Sequence, residues 1–334
     1  MYAAELRCSV DCRPYGAQQG WPLKPFHSEH ALRAGLNELR PASLHVGVDI
    51  QAGDGARVYA VQAGYARILQ RSGPDARVQV GNYLYWHINP VVKQGQLVRA
   101  LATELGTVMR GYGHIAFSEL GAAGQYLNPL RPLGRVLSPW VDRIRPVIGS
   151  LLLARDGQAV VPAFDPQTFT WQTTYITPVL APAALAYRLF DMRGTPVTPL
   201  QWAFRGAYLL PFAERRLIYS PGAHAPGYGC FARRRLCIPQ WTYRLAGGFA
   251  AVLPRELRRS RYRLTVYAWD WADNEDARDF VISLGSTGWH PVGRFPRQLL
   301  SSPALQLGVI WRAHLSPGAS RLRGGVPSSR RFGV

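Results

Sequence analysis

No apolar stretch in this chain runs far before a glycine or proline interrupts it. There are 33 Gly and 26 Pro in 334 residues. Inside a helix Pro costs about 3 kcal/mol and Gly about 1 kcal/mol relative to Ala, so long helices have little room to propagate. The interruptions leave short β-type runs: Leu44 to Ile50, Ala56 to Val61, Gly64 to Leu69, Val78 to Val80, Tyr83 to Ile88 and His114 to Leu120. Runs of this kind bounded by Gly and Pro read as strands, and the fold class is mainly β.

The hydrophobic fraction of 47%, with 10 Trp, 16 Tyr and 12 Phe, excludes a disordered chain, and the length favours two cores. Residues 1–43 read as a loop-like segment fixed by Trp21-Pro22-Leu23-Lys24-Pro25-Phe26, and residues 44–135 as a compact antiparallel sheet domain. Within it, 95–111 is ambiguous. A linker rich in Pro and Arg, 132–146, leads to a second β-rich domain over 145–285. Its strands are expected at Val147 to Leu153, Leu185 to Phe190, Trp202 to Leu210, Tyr262 to Ala268 and Phe280 to Ser283. Tyr262 to Ala268 alternates between two faces and is followed by Asp270-Trp271-Ala272-Asp273-Asn274-Glu275-Asp276, a turn rich in residues that bond their own backbone. This hairpin is similar to the last hairpin of many immunoglobulin-like bacterial domains, which implies a β-sandwich. Trp241, Tyr243, Trp269 and Trp271 suit either a carbohydrate-stacking surface or, as strand aromatics usually do, a core; the core is the preferred reading. Residues 286–334 carry five arginines after Trp311 and no acid, and read as a basic, flexible tail.

Lys and Arg outnumber Asp and Glu by 39 to 20, a formal charge of +19. Such a field attracts polyanions, whether nucleic acid, anionic lipid or an acidic wall polymer, and codon bias explains it equally well. No compact nucleic-acid motif accompanies it. Cys8 and Cys12, and Cys230 and Cys237, fall in two local couples; the second would close a disulfide loop in an exported protein and remain thiols in a reducing one. No run is long enough for a transmembrane helix, and Met1 to Arg7 lacks the apolar core of a signal peptide.

Four segments stand out in order, and three of them carry candidate chemistry. His45-Val46-Gly47-Val48-Asp49 places an imidazole and a carboxylate four residues apart, which on a strand puts them on one face. Gly55-Ala56-Arg57-Val58-Tyr59-Ala60 through Gly64 reads as a hairpin. Tyr83-Leu84-Tyr85-Trp86-His87-Ile88 offers a second imidazole, followed by Pro90 to Val98 with a Gly95 turn. His114-Ile115-Ala116-Phe117-Ser118-Glu119 offers a third.

The ordered set resembles the lysostaphin-like family of zinc peptidases that cut peptidoglycan cross-bridges. The resemblance covers roughly residues 20–130 and implies a lysostaphin-like antiparallel β-sheet peptidase domain. It implies His45 and Asp49 as zinc ligands, His87 as the group stabilising the attacked carbonyl, and His114 as the base. The family carries His-x-His in the last segment, the second His being the third ligand; here Ala116 stands in that place. A catalytic zinc is normally held by three protein ligands and lowers the pKa of its water to about 7. A methyl group donates no electron pair, so zinc is expected to bind weakly or not at all. Ser118 is a poor ligand, Glu119 should face the other side of the strand, and His27 or His30 remains as a substitute donor from the N-terminal segment.

Three functions follow as expectations. The first is an impaired homologue that still binds peptidoglycan peptides. The second is an active metalloendopeptidase with a substitute ligand. The third is a basic protein binding cell-wall polymers or other polyanions. The resemblance implies a cell-envelope or extracellular location, which the N-terminus does not by itself provide for.

Overall fold

The computed structural model describes residues 20–292, apart from 41, 132–134, 155–156, 169–178, 222, 224–240, 246–259 and 286–287. All four cysteines and residues 293–334 lie outside the described residues, and with them the disulfide reading and most of the basic tail.

The first β region contains β1 (Leu32–Ala34), β2 (Val48–Gln51), β3 (Arg57–Tyr59), β4 (Gly64–Gln70), β5 (Arg77–Val80), β6 (Tyr83–Trp86), β7 (Ile88–Pro90), β8 (Leu97–Val98), β9 (Glu104–Val108), β10 (His114–Leu120) and β11 (Tyr126–Leu127). An eight-stranded sheet runs β1-β2-β10-β6-β5-β4-β8, with β11 also on β10, and β3-β9-β7 form a smaller sheet. Every pairing is antiparallel. β10 therefore lies between β2 and β6, with neighbours on both edges. Its odd-numbered residues face the core: Ile115 and Phe117 are fully buried, each contributing about 2 kcal/mol by burial. They pack with Val48, Ile50, Val78, Val80 and Tyr85. The even-numbered residues His114, Ala116 and Ser118 share the opposite face.

Three local readings change. The run expected from Leu44 begins as a strand only at Val48, so His45 precedes it. Gly47 explains the break: a Cβ there would lie 2.2 Å from the Phe117 carbonyl oxygen, so the chain presses backbone to backbone against β10 and only glycine fits. The run Tyr83 to Ile88 divides at His87, whose φ of 61° breaks the extended chain between β6 and β7, which enter different sheets. The stretch before residue 44 supplies β1, which pairs with β2 through a register shift between Leu32 and Ala34. The ambiguous 95–111 stretch holds β8 and β9.

The second region contains β12 (Val147–Ile148), β13 (Leu152–Leu153), β14 (Ala159–Pro166), β15 (Val179–Leu180), β16 (Ala184–Phe190), β17 (Gln201–Arg205), the single-turn helix α1 (Arg215–Ile218), β18 (Thr242–Arg244), β19 (Arg261–Trp269), β20 (Glu275–Gly285) and β21 (Gly288–Pro291). One sheet runs β17-β16-β19-β20-β21, and the other gathers β12, β13, β15 and β18 around β14. Leu185, Tyr187, Leu189, Tyr262, Leu264 and Val266 build its core with Trp241 and Tyr243. Trp241, Tyr243, Trp269 and Trp271 are at most 3% exposed, so they are core residues and offer no stacking surface. The β19–β20 hairpin is present as expected, but β20 begins already at Glu275, inside the expected turn and ahead of Phe280, while β17 stops at Arg205 and β21 extends the sheet past residue 285.

The two regions share packing. Leu180, Ala183 and Trp271 belong to the core of the first sheet, and Leu44 belongs to that of the second. By contact, the chain as far as Gly293 is one compact unit. No helix among the described residues is long and apolar enough to cross a membrane.

Candidate functional site

His45, Asp49, His87 and His114 come together on the face of the large sheet opposite Ile115 and Phe117. Asp49 sits on β2 and stands directly opposite Ala116 on β10; Ala116 is in turn opposite Trp86 on β6. His45 Nε2 lies 3.0 Å from Asp49 Oδ1, and His114 Nε2 lies 3.6 Å from the same oxygen. The ring centroids of His87 and His114 are 5.2 Å apart, edge to face. His45 thus reaches Asp49 from the irregular segment that Gly47 allows, rather than by strand periodicity.

Each of the three imidazoles is anchored in the same way. Nδ1 of His45 donates to the Gly35 carbonyl at 2.8 Å, that of His87 to the Pro74 carbonyl at 2.7 Å, and that of His114 to the Tyr112 carbonyl at 2.7 Å. A carbonyl only accepts, so Nδ1 carries the proton in each case; Nε2 of His45 and His114 is turned toward Asp49, while that of His87 is left for chemistry. Carbonyl anchoring of this kind orients histidines that act as ligands or bases. His87 holds its place through its left-handed backbone, with its ring stacked on Tyr112 at 4.5 Å. Such backbone in a non-glycine residue is uncommon and concentrates at functional positions.

Two guanidinium groups flank the cluster. Arg40 Nη2 lies 3.3 Å from Asp49 Oδ2. Arg33 Nη1 donates to the Tyr112 carbonyl at 2.9 Å and lies 3.3 Å from His114 Nδ1, so arginine and histidine share that oxygen. Arg33 is the extra residue in the β1–β2 register shift, and a bulge re-aims the side chain it carries. Glu38 lies behind Arg40 and accepts from the Gly35 and Ala181 backbone N–H groups.

The charges respond accordingly. Burial alone would raise the Asp49 carboxyl, but His45, His114 and Arg40 outweigh it and hold the group well below the usual carboxylate range. Burial lowers His114, partly offset by Asp49. Burial pushes Glu38 up to about 7 despite Arg40 and His45.

Position 116 offers no donor, and Ala116 is 4% exposed. Trp86 turns its Nε1 onto Ser118 Oγ at 3.2 Å, so its indole lies on the face that carries Ala116 and Ser118. Glu119 does point to the other side, where it is buried in a two-pronged pair with Arg131, Nη2 to Oε1 at 2.8 Å. His30 bonds the Pro25 carbonyl at 3.1 Å and packs on Trp21, and His27 is exposed; neither bonds Asp49. Arg33, Arg40 and Tyr112 were not foreseen from sequence. The Gly111-Tyr112-Gly113 triplet just before His114 was the available sign of a tight turn, and Asp54 closes it by accepting from the Gly111 and Gly113 N–H groups.

No protein-family model and no curated protein matches the chain. Among solved structures, it is similar to an alanine-to-histidine variant of the catalytic domain of the prophage-encoded M23 protein EnpA from Enterococcus faecalis. That similarity has 24% identity and a TM-score of 0.26, and covers 31% of this chain and 92% of that one. A second similar structure is a peptidase M23 from Pseudomonas aeruginosa, with 18% identity and a TM-score of 0.27, covering 41% of this chain and 59% of that one. Both of these structures, similar to this chain over part of its length, are described as M23, or lysostaphin-like, proteins.

Proposed function

We propose that the chain is a lysostaphin-like homologue that binds peptidoglycan peptides in the groove over β2, β10 and β6, with hydrolysis impaired by the loss of one zinc ligand. The observation that carries this reading is the ladder register: residue 116 is the direct cross-strand neighbour of Asp49 on the face that carries the histidines, and it is alanine. Directly opposed residues have Cβ atoms about 5 Å apart, so position 116 is where a third donor would meet the carboxylate. His45 and Asp49 would be the remaining ligands, and a bound zinc would supply a Lewis acid and an activated water. Two donors, with a guanidinium already on the carboxylate, fit such an ion poorly. What these residues can do themselves is bind: His87 and His114 present their Nε2 atoms, and Arg33 and Arg40 favour an anionic peptide group. The cell envelope is the matching location, anionic wall polymers are the matching partners of the +19 charge, and the second β region is read as an immunoglobulin-like sandwich.

One observation favours a second reading, an active peptidase with a substitute ligand: His114 Nε2 is 3.6 Å from Asp49 Oδ1 and could itself be that ligand. Zinc content and affinity of the purified chain beside Ala116→His, with peptidoglycan hydrolysis assayed on both, separate the two. Little zinc in the parent, with zinc and activity gained in the variant, supports impairment. Because the Trp86 indole shares the face, Ala116→His combined with Trp86→Ala provides the necessary room. One tightly held zinc in the parent, lost in His114→Ala, overturns the reading.

A further inference from the structure

A second cluster of titratable groups lies away from the histidines. Asp142 lies in the linker, Asp165 lies on β14, and Asp270 begins the β19–β20 turn; one carboxylate oxygen of each lies within 4.8 Å of the others. They are 6%, 0% and 1% exposed. Asp142 Oδ1 accepts from the Ile144 N–H, the Thr168 N–H and the Thr168 hydroxyl. Asp270 Oδ1 accepts from the Ala272 and Asn274 N–H groups, and its Oδ2 from Asn274 Nδ2 at 2.7 Å. The same Asn274 Nδ2 reaches the Asp142 carbonyl at 3.0 Å, tying the turn to the linker.

What remains is the informative part. Asp142 Oδ2 and both oxygens of Asp165 are buried with no donor. The charged groups acting on Asp165 are Asp270 and Asp142, both negative. The basic group facing the cluster is Arg135, which acts on Asp270 and spends its N–H groups on the Leu130, Trp140 and Trp271 carbonyls. A buried carboxylate without a partner is costly, by several kcal/mol per ion, and three together repel. Three short acidic side chains from distant segments converge on one point, with no ion pair to a basic side chain among the described residues.

We propose that Asp142, Asp165 and Asp270 form a site for a hard divalent cation of the calcium and magnesium class. The donors are all oxygen, which selects such ions over zinc. Asp165 would be the central ligand, with Asp142 Oδ2 beside it and Asp270 completing the set. The ion would join the linker, β14 and the hairpin turn whose Trp271 packs into the core of the first sheet. Its role is to fix how that turn is held, and it is independent of the histidine cluster.

The test uses the full chain stripped with chelator and titrated with terbium, read by luminescence sensitised by the neighbouring Trp269 and Trp271, and with calcium or magnesium by calorimetry and melting. Saturable binding of one ion per chain, displacement of terbium by calcium or magnesium, and a higher melting temperature with ion are expected. Asp165→Asn should lose affinity by about 100-fold or more, while melting in chelator no lower than the parent because the uncompensated charge is gone. Asp142→Asn should weaken binding similarly. An absence of saturable binding at millimolar calcium, magnesium and manganese overturns the proposal, as does unchanged binding in both Asn variants.

Discussion

The histidine cluster and the aspartate cluster handle negative charge in opposite ways. Around Asp49, one carboxylate meets Arg40, His45 and His114, and the neighbour that would complete a cation site is a methyl group. Around Asp165, three carboxylates meet one another and leave oxygens without donors. The first has the residue types of a metal site but its charge is already balanced; the second has no familiar motif and an unbalanced charge. Capacity for a cation is therefore set by how much negative charge the surroundings leave uncompensated, as well as by which residues are present.

Glu119 supplies the control for that comparison, since it is as buried as Asp165 but fully paired with Arg131. Arg131→Met would turn it into an uncompensated carboxylate, and the largest stability loss is expected here, about 3–5 kcal/mol by denaturant unfolding. A loss under 1 kcal/mol would mean that compensation matters less than the comparison requires. Next in size, Ala116→His, or its combination with Trp86→Ala, should raise zinc affinity by about 100-fold or more, measured with a competing chelator. In that background, Arg40→Gln should add a further gain of about 5-fold by freeing Asp49, larger at low salt; no gain would show that the guanidinium does not compete with a cation.

The smallest effect concerns pH. Glu38 sits at about 7 in the fold, above the 4.5 of an unperturbed Glu. The unfolded chain therefore gives up this proton first as pH rises, so the contribution of Glu38 is present in full below pH 4.5 and is lost as pH climbs through about 7. Glu38→Gln keeps an acceptor for the Gly35 and Ala181 N–H groups and cannot ionise. Its melting temperature should exceed the parent's by roughly 2–4 °C at pH 8 and converge with it at pH 4.5. Parallel melting curves across that range would remove Glu38 from the charge balance around Arg40.

Strands with clean alternation or strong β-formers were legible in the sequence: β10 runs from His114 to Leu120 as read, and the β19–β20 hairpin follows its turn residues. β14 was not, because Pro162 and Pro166 interrupt a run that tertiary packing nevertheless holds in the sheet. β1 was hidden by its register shift and by the small residues around it. In the site, the order of His45, Asp49, His87 and His114 was visible, yet the geometric reason offered for His45 and Asp49 did not apply, since Gly47 ends the strand between them. Arg33 and Arg40 carry no periodic signal. Asp142, Asp165 and Asp270 are too far apart in sequence for any local pattern to join them.

The sharing of Trp271 between regions bears on how the chain could be divided. A fragment ending in the linker would leave an indole-sized hole in the core of the first sheet and would strip Arg135 of the Trp271 carbonyl it bonds. The complementary fragment would place that same tryptophan, 3% exposed in the intact chain, in water. Each half thus completes the interior of the other, and the natural unit for expression, engineering or exchange with a relative is the pair.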